Sequence, residues 1–263
     1  MSDYLGDDRA VALQRSIRDR IPMISADPLL ANGGRILNIL DPDAWGWDRV
    51  KREAERDGVI ALSLVDREAT LKRLADEYGP DHAFPFWEVF TGAPEEVLPA
   101  CEARLAERRR PDGWRLSHHA CADDATIQAS QELNMSTGVM PTPAYYLRGE
   151  HVPSLLTCLW TEDGALAACA SATMRYHPDG PLGGWLFAGG VSVSEARRRR
   201  GLGALVNAAL ISESHARFGW RRVVEQAKAD NAPSVGMITL CGLKQEPRKM
   251  TITINRTGDY FTR

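Results

Sequence analysis

The sequence has no long apolar run and no strong excess of one charge. Its net charge is −3, from 32 basic and 35 acidic residues, whereas domains that bind duplex nucleic acid usually carry a large positive excess. We therefore predict that nucleic acid is not a partner. No apolar run reaches the roughly 20 residues that a membrane-spanning helix needs, so no membrane association is expected either.

The cysteine and histidine patterns exclude the commonest structural cross-links. The five cysteines are odd in number and no two have CxxC spacing, so neither a disulfide framework nor a zinc signature follows. We expect buried free thiols, as in a reducing compartment. The adjacent pair His118-His119 would point to opposite faces of a strand, which predicts no shared metal. The acidic start MSDYLGDDRA is unlike a signal peptide and indicates a cytoplasmic protein.

Residues 1–112 alternate strand and helix patterns. Strands are expected at 35–40, 59–65 and 84–90, and helices at 10–20, 45–56, 68–78 and 94–109. That alternation is typical of an α/β domain. Turn residues at 108–113 (RRRPDG) end the last helix, and we place a domain boundary between residues 112 and 113. No motif in this part indicates a function.

From residue 113 onward the order of elements changes. Strands are expected at 114–119, 154–160, 165–176, 185–193, 222–227 and 250–254, and helices at 123–133, after Pro143, at 202–218 and from Asn231. The helix at 202–218 has the i, i+3, i+4, i+7 apolar spacing of a buried face. The fold class that follows is α/β, with a mixed central sheet flanked by helices.

The segment from Val191 to Ala204 carries the clearest chemical pattern. A strand ends at Val193, four arginines follow, and a helix begins at Gly201-Leu202-Gly203. Glycine lets the backbone approach an anion closely, helix N-termini attract negative charge, and arginine forms charge-assisted bonds to phosphate. Alone, the pattern also fits a helix start beside a solvated charge run. Its place after three closely spaced strands favours a pyrophosphate site.

The run Arg198-Arg199-Arg200-Gly201-Leu202-Gly203 resembles the R/Q-x-x-G-x-G/A motif of the GNAT superfamily of acyl-CoA-dependent N-acetyltransferases. Val193 stands at the hydrophobic position that this family has before the loop. Asn231 and Gly242-Leu243 are similar to its Asn, helix, Gly-Phe pattern, with Leu in place of Phe. The resemblance covers roughly residues 114–253. It implies a GNAT-type sheet for residues 113–263, preceded by an additional α/β domain.

The resemblance also implies roles for individual positions. The backbone of Val191 would face the thioester carbonyl and that of Val193 the pantetheine arm, where the strands of this family splay apart. Asn231 would contact the pantetheine or cap the last helix. Arg198 occupies the first position of the motif. The pyrophosphate would be held by the backbone N–H groups that follow it, those of Arg199, Arg200, Gly201, Leu202, Gly203 and Ala204. The implied acyl donor is acetyl-CoA, with no metal.

The catalytic residues stay unidentified. Many family members have a carboxylate on the strand before the Asn and a Tyr on the last helix, which exchange protons with the reacting groups. Here those positions are Gln226 and Ile238, and neither transfers a proton. Glu225 should point to the opposite face, at a buried edge or on the surface. Substitutes elsewhere are His118, His119, Tyr145, Tyr146 and Tyr260, each of which also fits a packing or surface role; a water relay is a further alternative.

Three functions are therefore open. The leading hypothesis is an acetyl-CoA-dependent N-acetyltransferase that acts on a small amine or a protein amine, with a small molecule favoured. A non-catalytic acyl-CoA-binding module is the alternative that Gln226 and Ile238 motivate. The third is a nucleic-acid binder; the arginines at 197–200 motivate it, but the net charge and the lack of interleaved aromatic residues oppose it. The apolar strand at 185–190 (WLFAGG) predicts an acceptor pocket that is partly apolar.

The role of residues 1–112 and the completeness of the sheet are also open. The first part is a lid, an oligomerisation unit or a degenerate second acyltransferase-like domain. Only nine residues follow Ile254, so the final strand of the family is either missing or supplied by the N-terminal part or a second subunit. The last alternative would make the protein a homodimer.

Overall fold

The computed structural model describes residues 3–256, and helices lie on both faces of its sheet. The helices are α1 (Asp8–Asp19), α2 (Ile21–Ala26), α3 (Pro42–Trp45), α4 (Trp47–Asp57), α5 (Arg67–Glu77), α6 (Pro94–Glu107), α7 (Asp124–Ser136), α8 (Ala144–Leu147), α9 (Leu202–Phe218) and α10 (Ala232–Leu240). The strands are β1 (Leu30–Asn32), β2 (Leu37–Ile39), β3 (Val59–Asp66), β4 (His82–Ala83), β5 (Phe86–Gly92), β6 (Arg115–His119), β7 (Ser154–Trp160), β8 (Leu166–Thr173), β9 (Trp185–Val193), β10 (Arg222–Ala227) and β11 (Lys244–Arg256).

One continuous sheet joins the two parts of the chain. Its order is β1-β2-β3-β11-β5-β10-β9-β8-β7-β6, with β4 paired to β11. Strand β5 precedes residue 113, yet it lies between β10 and β11 and is antiparallel to both. The N-terminal part thus supplies the strand that the C-terminal part lacks, and within the described residues this position needs no second subunit.

Backbone conformation explains where the expected helix at 45–56 differs from the structure. Asp41 caps α3, since its side chain accepts a hydrogen bond from the Ala44 amide at 3.0 Å. Gly46, at φ 101°, then turns the chain, so α3 and α4 are separate helices. Gly58 ends α4 in the left-handed region. The residues on both sides of Gly46 have a helical pattern, so the sequence did not predict the break at this glycine.

Strand β11 is much longer than the expected 250–254. It extends back to Lys244 because β5 pairs with Lys244 and Gln245 before a register shift that precedes Met250. Pro247 lies within that shift. Proline has no backbone N–H group, and at this unpaired position the sheet does not lose a hydrogen bond. The polar sequence of this segment is not typical of a strand, and its conformation comes from pairing with β5 and β3.

The two largest apolar clusters pack helices against the sheet. Helices α6, α9 and α10 cover the C-terminal strands, with Val206 and Leu210 of α9 fully buried against Leu186 and Val223. Helices α4 and α5 cover β3 and β11 through a second cluster. Each fully buried Leu or Val contributes about 1.5–3 kcal/mol. All five cysteines are free; four are buried as expected, whereas Cys121 is exposed. No helix between residues 3 and 256 has the length and apolar character needed to cross a bilayer.

Candidate functional site

The central strands β9 and β10 separate partway along their length. They pair in parallel only where Trp185–Phe187 faces Arg222–Val224. Beyond that point β9 contains a β-bulge, since Ser171 of β8 pairs with Gly189 and Cys169 pairs with Ser192. Gly190 accommodates the bulge at φ 61°. The backbone from residue 188 to 193 thus faces a cleft instead of a partner on β10.

The start of α9 lies against the end of β9. A Cβ atom placed on Gly203 would lie 3.6 Å from Cγ2 of Val193 and 3.8 Å from Cγ1 of Val191. It would also lie 3.5 Å from the sulfur of Met237 on α10. The structure therefore brings together Val191, Val193 and the glycine motif, and it adds the last helix as a third wall.

The loop between β9 and α9 presents backbone N–H groups to solvent. Arg199 and Gly201 both have left-handed conformations, with φ 61° and 73°, and backbone turns of this kind can direct successive amides at one anion. Helix α9 begins at Leu202, and no side chain of the described residues caps it. Its first amides are therefore open to a ligand, and the helix dipole favours a negative one.

Arginines from two elements surround this loop. Arg198, Arg199 and Arg200 are exposed, and Arg198 donates from Nε to the carbonyl oxygen of Val193 at 3.4 Å. Arg108, at the end of α6, was not expected here: its Nε lies 3.4 Å from a Cβ placed on Gly201. The run 108–110 carried that signal in the sequence, but we interpreted it only as a helix end.

Asn231 caps the last helix. Its Oδ1 accepts a hydrogen bond from the Ser234 amide at 3.2 Å, and its side chain is exposed. Of the two roles considered for Asn231, capping is the one for which the structure shows a bond. A role in contacting pantetheine stays a prediction.

A cavity of about 330 Å³ lies beside the bulge, on the face of the sheet opposite α9. The C-terminal part contributes Ser171, Phe187 and the backbone of Gly189 and Gly190. The N-terminal part contributes Gly33, Gly34, Arg35, Ile36, Asn38, Ala61 and Trp87. The wall mixes aromatic and aliphatic surface with hydroxyl, amide and guanidinium groups, so it is only partly apolar.

Of the two positions that depart from the family pattern, one lies in this cavity. Gln226 lines it and donates from Nε2 to Oγ1 of Thr251 at 2.6 Å. Ile238 is buried in the core under α10. Tyr146 also lines the cavity, but its hydroxyl donates to the carbonyl oxygen of Asn32 at 2.6 Å, and burial raises its pKa well above the usual value. None of these groups is a ready proton acceptor.

The other substitutes considered from sequence are not in the cavity wall. His118 and His119 belong to β6, separated from β9 by β7 and β8. His118 bonds to Thr157 Oγ1 at 2.9 Å, and burial lowers the pKa of both imidazoles. The Tyr145 hydroxyl accepts from Nδ2 of Asn32 at 3.2 Å behind Tyr146. Tyr260 lies outside the described residues.

Glu225 corrects one expectation. It points to the face opposite Gln226, as the strand period predicts, but it is neither at an edge nor on the surface. It is 2% exposed, because β10 is a central strand and α9 covers this face. Its Oε1 accepts from Nδ2 of Asn207 at 2.8 Å, and burial raises its pKa to about 7.

No cluster of three or more His, Cys, Asp or Glu side chains suited to a metal ion occurs in the part of the chain that the structure describes. The groups that the described residues bring to the cleft and the cavity include backbone amides, arginines and hydroxyl groups. Those groups bind anions and orient a substrate.

Comparison with known proteins places this geometry in a family. Residues 126–243 match the model of the acetyltransferase (GNAT) family, a range that contains the bulge, the loop, α9 and α10. No curated protein matches the sequence.

Solved structures share the fold at low identity. A GCN5-related N-acetyltransferase from Kribbella flavida is 16% identical, with a TM-score of 0.57, over 84% of this chain and 78% of its own. A GCN5-related N-acetyltransferase-like protein from Streptococcus suis is 14% identical, with a TM-score of 0.55, over 86% and 82%.

A tandem GNAT protein from the clavulanic acid biosynthesis pathway matches nearly the whole chain. It is 14% identical, with a TM-score of 0.59, over 99% of this chain and 98% of its own. That coverage supports an additional N-terminal α/β domain beside the matched one. Residues 126–243 thus form an acetyltransferase domain of the GNAT family, set in a mixed α/β sheet that the N-terminal residues extend.

Proposed function

We propose that the protein transfers an acetyl group from acetyl-CoA to a small amine. The observation that carries this proposal is the cleft between β9 and β10, which leads from the uncapped start of α9 to the cavity at Gly189 and Gly190. A phosphate site and an acceptor pocket joined through the sheet match a donor with a long arm and a reactive end.

Each part of the donor has a place in this arrangement. The pyrophosphate would bind the amides from Arg199 to Ala204, with the guanidinium groups of Arg198 and Arg108 beside it. The pantetheine arm would lie in the cleft along Val193. The thioester carbonyl would then reach the backbone of Val191, next to the bulge and the cavity.

The amine would attack the thioester carbon directly from the cavity. A C–N bond forms, the C–S bond breaks, and the electron pair leaves on the CoA sulfur. No Asp or Glu of the described residues lines the cavity, so the proton of the ammonium would leave through water held by polar groups such as Gln226 and Thr251. The released thiolate would take a proton from solvent.

The lack of an acidic residue in the wall also favours a second candidate, a non-catalytic acyl-CoA-binding module. Both candidates place CoA in the same cleft and differ only in turnover.

We place the protein in the cytoplasm, which its free thiols support. Residues 1–112 and 113–263 are proposed as two sequence domains that share one sheet.

Titration calorimetry with acetyl-CoA tests the donor site. Gly203→Asp would put a carboxylate beside the phosphates, and we expect affinity to fall at least about tenfold through charge repulsion. Gly203→Ala is the matched control, because its Cβ meets only ordinary contacts of 3.5 Å and more. If the folded Asp variant binds as well as wild type, the loop assignment is wrong. Thiol release over a panel of amines then separates enzyme from binder.

A further inference from the structure

Two arginines, Arg35 and Arg175, line the cavity beside the bulge, and no Asp or Glu among the described residues lines it. Arginine has a planar fork of donors that matches carboxylate and phosphate oxygens.

Arg175 is held in a fixed position at this wall. Its guanidinium carbon lies 3.5 Å from the centroid of the Phe187 ring and 5.5 Å from that of Tyr176, and cation–π attraction stabilises that stacking. No carboxylate among the described residues forms a salt bridge with Arg175, and its buried Nε has no hydrogen-bond partner there. Stacking thus positions the fork but leaves its donors for a ligand.

Arg35 approaches from the N-terminal part, on the turn between β1 and β2. It is 8% exposed, and burial lowers its pKa to about 10, while the charge of Asp7 acts in the opposite direction. Because that value is well above 7, Arg35 is protonated at neutral pH. The two parts of the chain therefore each contribute one cation to the same cavity.

The guanidinium group of Arg175 lies close to the bulge, where the acetyl group would be transferred. An edge carbon of the Phe187 ring lies 3.5 Å from a Cβ placed on Gly189, so a single ring separates the guanidinium of Arg175 from the bulge. At the bulge, Thr142 Oγ1 and Ser171 Oγ lie 3.1 Å apart, and the Ser171 oxygen is 3.0 Å from a Cβ placed on Gly190. These hydroxyl oxygens can accept hydrogen bonds from an ammonium group.

We infer that the acceptor is a small amine that carries a carboxylate or phosphate group, bound by the donors of Arg175, with the positive charge of Arg35 in the same wall. The amine lies at the bulge and the oxyanion group at the arginines, a few bonds away. A cavity of about 330 Å³ is near the lower end of the roughly 300–1,000 Å³ usual for small-molecule sites. This inference rests on the proposed acetyl transfer and names its substrate class.

Matched acceptor pairs test it with the full chain and acetyl-CoA. β-Alanine is compared with β-alaninamide, and phosphoethanolamine with ethanolamine, by thiol release, with rates expressed per free amine. We expect kcat/KM to be at least about tenfold higher for the anionic member of one pair, since hydrogen bonds between charged groups are the strong ones. The pair that shows the preference tells carboxylate from phosphate.

Arg175→Gln should abolish the preference by lowering kcat/KM for the anionic member alone, and Arg175→Lys should restore part of it. The matched control is Arg49→Gln, since Arg49 also stacks on an aromatic ring, that of Trp45 at 5.9 Å, but lies outside this cavity. Circular dichroism checks that each variant is folded.

If the protein shows no turnover, binding of the same four compounds to the CoA-bound protein is measured by direct titration. Binding of an anionic member that Arg175→Gln removes supports the inference. Equal or better use of the neutral members, or no binding of either anionic compound at 10 mM or so (a concentration well above a usual KM), would overturn it. If acetyl-CoA itself fails to bind, the proposed function fails instead.

Discussion

Glu225 and Asn207 form a buried polar pair between the central strand β10 and the helix α9. Neither residue lines the cavity on the other face of the sheet. Burial of the carboxyl disfavours its charged form more than the single bond from Asn207 favours it, and the pKa rises to about 7. Glu225 therefore influences stability, and it does so in a pH-dependent way.

Because the folded-state pKa of Glu225 lies above its unfolded value, its contribution to stability is fully present below the unfolded pKa. It is lost as pH rises from about 4.5 through about 7. Glu225→Gln cannot ionise, so at pH 8 we expect it to be more stable than wild type by up to about 3 kcal/mol. At pH 4 that difference should shrink or reverse. Urea unfolding of both proteins at the two pH values measures it; a difference that does not change with pH would contradict the assignment.

The loop between β9 and α9 acts through its backbone, and the arginine of a second element lies against it. Helix α6 ends so that Arg108 packs over Gly201, although the two residues are 93 positions apart in the sequence. Both parts of the chain thus contribute to the proposed phosphate site. Its positive charge comes from α6 as well as from the run before α9.

Arg108→Gln should therefore weaken acetyl-CoA binding. The side chain is exposed, so the expected loss is modest, about two- to tenfold, and it should shrink at high salt because exposed charges are screened. Arg109→Gln is the matched control, since the three atoms nearest to a Cβ placed on Gly201 all belong to Arg108 and none to Arg109. Calorimetry at low and high salt measures the effect; equal affinities for the two variants would remove Arg108 from the site.

At the scale of the whole molecule, strand β5 couples the two parts of the chain, because this N-terminal strand lies among C-terminal strands. β5 completes the sheet between β10 and β11, and β11 in turn pairs with β3. Removing residues 1–112 would leave β10 and both sides of β11 with unpaired backbone groups, which promote aggregation. Because the strands of both parts share one sheet, we expect the two parts to fold as one unit.

We expect the isolated fragment of residues 113–263 to be insoluble or to lack a cooperative thermal transition, whereas the full chain should unfold in a single transition. The fragment of residues 84–263 is the matched control. It retains β5 and α6, and it should be more soluble than the shorter fragment. Calorimetric scanning and sedimentation measure this, and a cooperative, acetyl-CoA-binding 113–263 fragment would contradict it.

Local signals predicted much of the fold and the loop. The bounds of β7, β9, α9 and β10 follow from apolar periodicity and from glycines such as Gly219, because such patterns depend on neighbours in sequence. The N-terminal strand β1 and the polar half of β11 were missed, because their conformation depends on partners far along the chain. Gly46 was missed as a break because a helical pattern continues on both sides.

The sequence by itself determined the proposed anion-binding motif, since a glycine pair, four arginines and a helix start are adjacent in the chain and their chemistry is local. Only the tertiary structure decided what surrounds it. Arg108 beside the loop, Arg35 and Arg175 in one cavity, and β5 within the sheet all join residues that are distant in sequence. Their proximity depends on how the strands pair, and strand pairing is set by the packing of the whole sheet.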